Sequence, residues 1–207
     1  MLNRTACLIL SVLGLAAATG HDITPTEREQ ALRYLAQTRE GVIRAVHGLS
    51  EMQWQFKPAS DRWSAAEVLE HIAMTEELVA NSVLPRIPDA PSPAPGMDPR
   101  KVDEMILSQV PDRSHKLRAP EALVPKGKWS PNESLDHFLA AYGEIVSVLE
   151  SNHDLRSHII NNAALGPLDG YQWILALSAH TERHTKQILE VEADPHFPSA
   201  LRSSNTN

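Results

Sequence analysis

The sequence predicts an all-α protein, and three observations carry that prediction. Apolar residues recur at three- and four-residue spacing over four long stretches, the period that lines one face of a helix. Helix-start boxes stand at Thr24-Pro25-Thr26-Glu27, Ser64-Ala65-Ala66-Glu67 and Ser130-Pro131-Asn132-Glu133. In each, the first side chain can accept from the backbone N–H three residues on while the Glu reaches back. Two of the N–H groups that a helix start leaves unpaired are then satisfied. No alternating apolar–polar run of strand type occurs, and the Asp169-Gly170 pair falls at a helix start rather than between two strands.

Taken in order, the first helix is expected from Pro25 to His47, with Leu32, Leu35, Val42, Ile43 and Val46 inside and Gly48 as the stop. The second runs from Ala65 to about Val83 and stops before Pro85. Six prolines from Pro85 to Pro99 predict an exposed, non-helical loop. A short helix follows from Pro99 to about Gln109, with Val102, Met105 and Ile106 on one side, and residues 111–129 read as irregular. The next long helix spans Pro131 to about Ser151 and buries Leu135, Phe138, Leu139, Tyr142, Ile145 and Leu149. The last runs from Pro167 to about Glu192, before Pro195. Four long helices with connections of mixed length make a four-helix bundle over residues 24–195, with a small helix in the second connection. Residues 196–207, rich in Ser and Asn, read as a flexible tail.

Residues 1–20 differ from the rest. Arg4 precedes an apolar stretch from Ala6 to Ala18 that ends in small residues, the pattern of a secretory signal peptide and short for a bilayer span. The expectation is an exported protein, periplasmic or secreted, that leaves the membrane once cleaved. Cleavage near Gly20 removes the sole cysteine, Cys7, so disulfides and thiolate chemistry are excluded from the mature chain. The net charge of −7 shows no basic run and argues against a nucleic-acid partner.

Ten histidines stand out. His180 and His184 are four apart on the last helix, so both imidazoles face one way, about a turn apart. They share a stripe with Trp173, Leu177, Ile188 and Val191, which points them into the bundle. A buried polar side chain costs about 1–3 kcal/mol without a partner. A shared metal ion supplies one; hydrogen bonds to helix carbonyls or tyrosines are the alternative. The zinc-peptidase helix motif is excluded, because Thr181 stands where it needs Glu. Glu182 and Arg183 are expected to face solvent. On the second helix His71 lies at the edge of the apolar face formed by Ala65, Val68, Leu69, Ile72 and Val79, with Thr75 continuing its row. Glu67 is assigned to its capping box, and Glu67 or Glu70 could orient His71. His137 could face either way. His47, His153 and His158 fall near helix ends, and His21, His115 and His196 in loops or tails.

These residues carry a family resemblance. The stretch Trp63-Ser64-Ala65-Ala66-Glu67-Val68-Leu69-Glu70-His71-Ile72 resembles the DinB-like superfamily of DinB/YfiT-type metalloenzymes. So does the ending from Leu165-Gly166-Pro167 through His180 and His184 to Gln187-Ile188-Leu189. The resemblance covers about Thr24 to Val191 and implies an up-down-down-up order of the four helices. It implies a divalent metal, zinc or nickel, held by His71, His180 and His184. Three histidines leave coordination positions open, as catalytic sites do. The implied activities are metal-dependent hydrolysis or thiol S-transfer on a small-molecule substrate; the alternative is a bundle that binds a metal or small ligand without turnover. Cytosolic thiols are not obviously supplied to an exported protein. Glu67, Glu70, His137 and Tyr142 are the candidate acids and bases. Residues 85–99 and 111–129 are where selectivity could lie. A homodimer through helix faces is left open, since no decisive surface stripe is present.

Overall fold

Capping chemistry and apolar burial together place the helices. The computed structural model describes residues 22–199, so the expected signal peptide and the end of the expected tail lie outside the described residues. The long helices are α1 (Pro25–Val46), α3 (Ala65–Leu78), α5 (Pro131–Ser151) and α6 (Gly170–Glu192), and the short ones α2 (Glu51–Gln55) and α4 (Pro99–Gln109). All three expected capping boxes form, at Thr24/Glu27, Ser64/Glu67 and Ser130/Glu133. Each is worth about 1 kcal/mol. Burial is the larger effect: each apolar side chain removed from water contributes about 1.5–3 kcal/mol. Val68, Leu69 and Ile72 of α3 are all fully buried, and together they fix the rotation of that helix.

The long helices form a four-helix bundle in which α1 packs on α6 and α5, and α3 packs on α5 and α6. Helices α1 and α3, consecutive among the long ones, therefore lie across the diagonal. The core has two parts. One joins Leu35, Ile106, Ile145, Leu149, Tyr171 and Ile174; the other gathers Val42, Val46, Val68, Leu69, Ile72, Phe138 and Ile188. Among the described residues no helix is long and apolar enough to cross a membrane.

Four expectations need correction. The last helix begins at Gly170, not Pro167, because residues 166–169 form a strand. Strands β1 (Ile159–Asn162) and β2 (Gly166–Asp169) make an antiparallel hairpin, with Ile159 paired to Asp169 and Asn162 to Gly166. Gly166 takes φ +80° there, the left-handed conformation that glycine adopts without strain. The second long helix ends as an α-helix at Leu78 and continues as a wider π-turn over Val79–Val83. The proline segment is not wholly an exposed loop: Leu84–Asp89 is a 3₁₀ turn, and Leu84 and Ile87 are buried. Pro85 fits because the first positions of a helical turn need no N–H, and the burial of Ile87 holds the segment down.

The remaining differences are small. Helix α2 starts from a fourth box, Ser50/Gln53. Residues 111–129 are irregular apart from one turn at Glu121–Leu123. The segment expected to begin the tail is docked: Phe197 meets Phe56 edge-on at 5.5 Å, and Gln53 Nε2 donates to the Pro198 carbonyl at 2.9 Å.

Candidate metal centre

Helix α3 is rotated by its buried apolar face so that His71, two turns into the helix, points at α6 and is only 3 % exposed. Helix α6 brings His180 and His184 to the same place. One nitrogen from each of the three rings lies within 4.8 Å of the others. Ring centroids are 5.0 Å apart for His71 and His180, 4.6 Å for His71 and His184, and 4.3 Å for His180 and His184. Trp63 covers the group from one side, 5.0 Å from the His71 ring and 6.4 Å from that of His184.

The hydrogen bonds fix which nitrogens are free. The Leu123 carbonyl, which can only accept, sits 2.7 Å from His71 Nδ1. That nitrogen therefore carries the proton, and Nε2 of a neutral His71 keeps its lone pair. His180 Nε2 is 3.1 Å from His71 Nε2. Two nitrogens on one tetrahedral ion at about 2.0–2.1 Å would be about 3.3 Å apart, so this spacing suits a shared metal. His180 Nδ1 is buried and has no partner. His184 Nδ1 bonds Gln187 Oε1 at 2.9 Å, leaving Nε2 free.

Electrostatics keep the rings neutral. Burial lowers the pKa of His71, opposed by its bond to Leu123. Burial, then the fields of His184, His71 and Arg183, holds His180 far below the usual histidine value. His184 is pushed down to about 3, first by burial and then by His71. Three neutral nitrogen donors with no carboxylate among them suit zinc, nickel and similar borderline ions better than magnesium or calcium. The residues present fit such an ion.

The other candidates are occupied elsewhere. Glu67 closes the α3 box and pairs with Lys57 at 2.8 Å. Glu70 is buried and accepts the backbone N–H groups of Lys126, Gly127 and Lys128 at 2.9–3.1 Å, anchoring that loop rather than orienting His71. His137 bonds Glu77 at 2.6 Å and stacks on Trp129 at 4.0 Å. Tyr142 lies under Arg39. None of the four hydrogen-bonds a triad imidazole. Arg183, expected in solvent, is buried and donates to the carbonyls of Val110, Asp112 and His115; Glu182 is half-buried and accepts from Tyr34 at 2.7 Å. Sequence reasoning missed Arg183 because its partners are backbone atoms, which leave no residue signature.

A four-helix bundle carrying three inward histidines on two helices defines a class, the bundles whose facing helices could hold a metal ion between them. This chain belongs to the DinB superfamily, whose family model matches residues 34–188. YuaE, an uncharacterized protein of Bacillus subtilis strain 168, is 25 % identical over 150 residues, 70 % of this chain and 86 % of YuaE. The four-helix bundle protein TT2238 superposes with a TM-score of 0.51 at 16 % identity, covering 79 % of this chain and 98 % of its own. YfiT of Bacillus subtilis, described as a probable metal-dependent hydrolase with an unusual four-helix bundle topology, gives 0.51 at 13 % identity, covering 82 % and 88 %.

Proposed function

We propose that this protein is an exported, metal-dependent hydrolase acting on a small molecule, with His71, His180 and His184 as ligands of one zinc or nickel ion. The observation that carries the reading is the convergence of three neutral imidazoles on one point, with the Nδ1 atoms of His71 and His184 tied back so that their Nε2 atoms stay free. An ion held there would supply Lewis acidity and lower the pKa of a ligated water or thiol. The chain's own residues orient the donors, and Trp63 screens one side of them from water. Hydrolysis is favoured over thiol transfer because water reaches an exported protein in any compartment, whereas cytosolic thiols do not. The description of YfiT supports the same choice. The pattern of residues 1–20 supports export.

Elemental analysis of the protein expressed without residues 1–20 tests the reading. About one equivalent of zinc or nickel is expected, falling to background in His180→Ala. Absence of metal after incubation with either ion would remove the centre. A second reading, a bundle that holds its ion without turnover, is favoured by one fact: Glu67, Glu70 and His137 bond away from the triad, and Tyr142 packs under Arg39. Ester, amide and thiol-transfer panels with the loaded protein separate the two.

A further inference from the structure

The connection between α4 and α5 was expected to hold selectivity, yet it supplies the partner of one triad histidine and grips the partner of another. Leu123 lends its carbonyl to His71. At the other end of the connection, Arg113 Nη1 donates to Gln187 Oε1 at 3.3 Å, while its Nε and Nη2 clasp Glu190 at 2.6 and 2.7 Å. Arg183, between the two histidines of α6, ties the same stretch down through the carbonyls of Val110, Asp112 and His115.

The bonds dictate a proton position. A guanidinium only donates, so the Gln187 atom facing it is the amide oxygen. That oxygen only accepts, so His184 Nδ1, 2.9 Å from it, must be the donor. The proton sits on Nδ1 and the lone pair of Nε2 faces the other two rings. Without Arg113 the Gln187 amide could turn its NH₂ toward His184, which would put the proton on Nε2, where a metal must bind.

We propose that Arg113 and Gln187 are positioning residues that set the tautomer of His184, so that the α4–α5 connection clamps the metal centre. This rests on the triad being a metal site, as proposed above. His180, whose Nδ1 has no partner, is the ligand left unaided.

The test is zinc affinity, by competition with a chromophoric chelator, together with the ¹⁵N shifts of His184 in the metal-free protein. Gln187→Leu is expected to weaken zinc binding by about 10–100-fold and to give His184 mixed tautomers. Gln187→Glu, which can only accept from His184, is expected to restore both. Arg113→Met, altering a half-buried side chain outside the triad, should show a smaller loss in the same direction and serves if Gln187→Leu does not fold. Wild-type affinity and an unchanged tautomer in Gln187→Leu or Arg113→Met would overturn the clamp while leaving the metal centre standing. A wild-type protein that binds neither zinc nor nickel removes the metal reading, and the tautomer shifts then decide the positioning role alone.

Discussion

Glu76 faces the interior from α3, 2 % exposed, and accepts from Thr181 Oγ1 at 2.8 Å with one carboxyl oxygen. Its other oxygen is buried without a partner. Burial pushes its pKa up to about 8, with the Thr181 bond pulling the other way. At neutral pH the folded protein therefore holds this acid protonated, while the unfolded chain ionises it above about 4.5. The unfolded state then binds fewer protons, so Glu76 erodes stability as pH rises from 4.5 to 8. The buried histidines act in the opposite sense, but only below the unfolded histidine value of about 6.5. Urea unfolding between pH 6.5 and 8 isolates Glu76. The wild type should lose up to about 1.4 kcal/mol per pH unit there, and Glu76→Gln should be flat and the more stable of the two at pH 8. A variant as steep as wild type would show that Glu76 ionises freely. His180 and His184 were legible at this scale, since i, i+4 spacing and an apolar stripe need no tertiary knowledge, whereas His71 joined them only through the family resemblance. Glu76 was not, because its one hydrogen-bond partner is a threonine on another helix. Nor were the triad's partners: one is a backbone carbonyl, and Arg113 lies 74 positions from Gln187.

Among the elements, α6 matters most to the site, and it starts at a tight junction. A Cβ on Gly170 would lie 3.1 Å from Leu155 Cδ2, 3.1 Å from the Leu155 carbonyl oxygen and 3.3 Å from Ile87 Cγ2. The backbone oxygen cannot step aside, so Gly170→Ala is expected to cost about 1–3 kcal/mol. Gly143, exposed within α5, has nothing within 4 Å of such a carbon. Gly143→Ala should therefore stabilise by up to about 1 kcal/mol through helix propensity alone. Thermal melts of the two variants should move in opposite directions; a shared direction would refute the close junction. Helix ends were readable wherever a box used Ser or Thr with Glu. The box at Ser50/Gln53 was passed over because it heads a single short turn. Strand β2 contains Pro167 and β1 does not alternate in burial, so the hairpin had no periodic signature to read.

Across the whole molecule, one guanidinium ties the ends of three helices. Arg156, 6 % exposed, donates to Glu27 at 2.6 Å, to Asp103 at 2.7 and 3.1 Å and to Asp169 at 3.0 Å, and lies over the Tyr171 ring at 4.3 Å. Glu27 and Asp169 are themselves the capping residues of α1 and α6, and Asp103 belongs to α4. Burial raises Asp169 to about 6 against the pull of Arg156, which marks how costly these carboxylates are to hold together. Arg156→Met would leave three acids facing one another, and breaking a buried pair in this way costs about 3–5 kcal/mol. Adding Asp103→Asn and Asp169→Asn should recover a good part of that loss, because the penalty is the stranded charge rather than the missing bond. The hub lies about 15 Å along α6 from His180, given ten residues at 1.5 Å each. The bundle should thus weaken at one end while the histidines keep their geometry at the other. Arg156→Met is expected to unfold at lower urea yet bind zinc with wild-type affinity, and metal should raise the melting temperature of variant and parent alike by mass action. A parallel loss of zinc affinity would mean that the two ends of the bundle are one cooperative unit, with the triad held by the hub as much as by the α4–α5 connection.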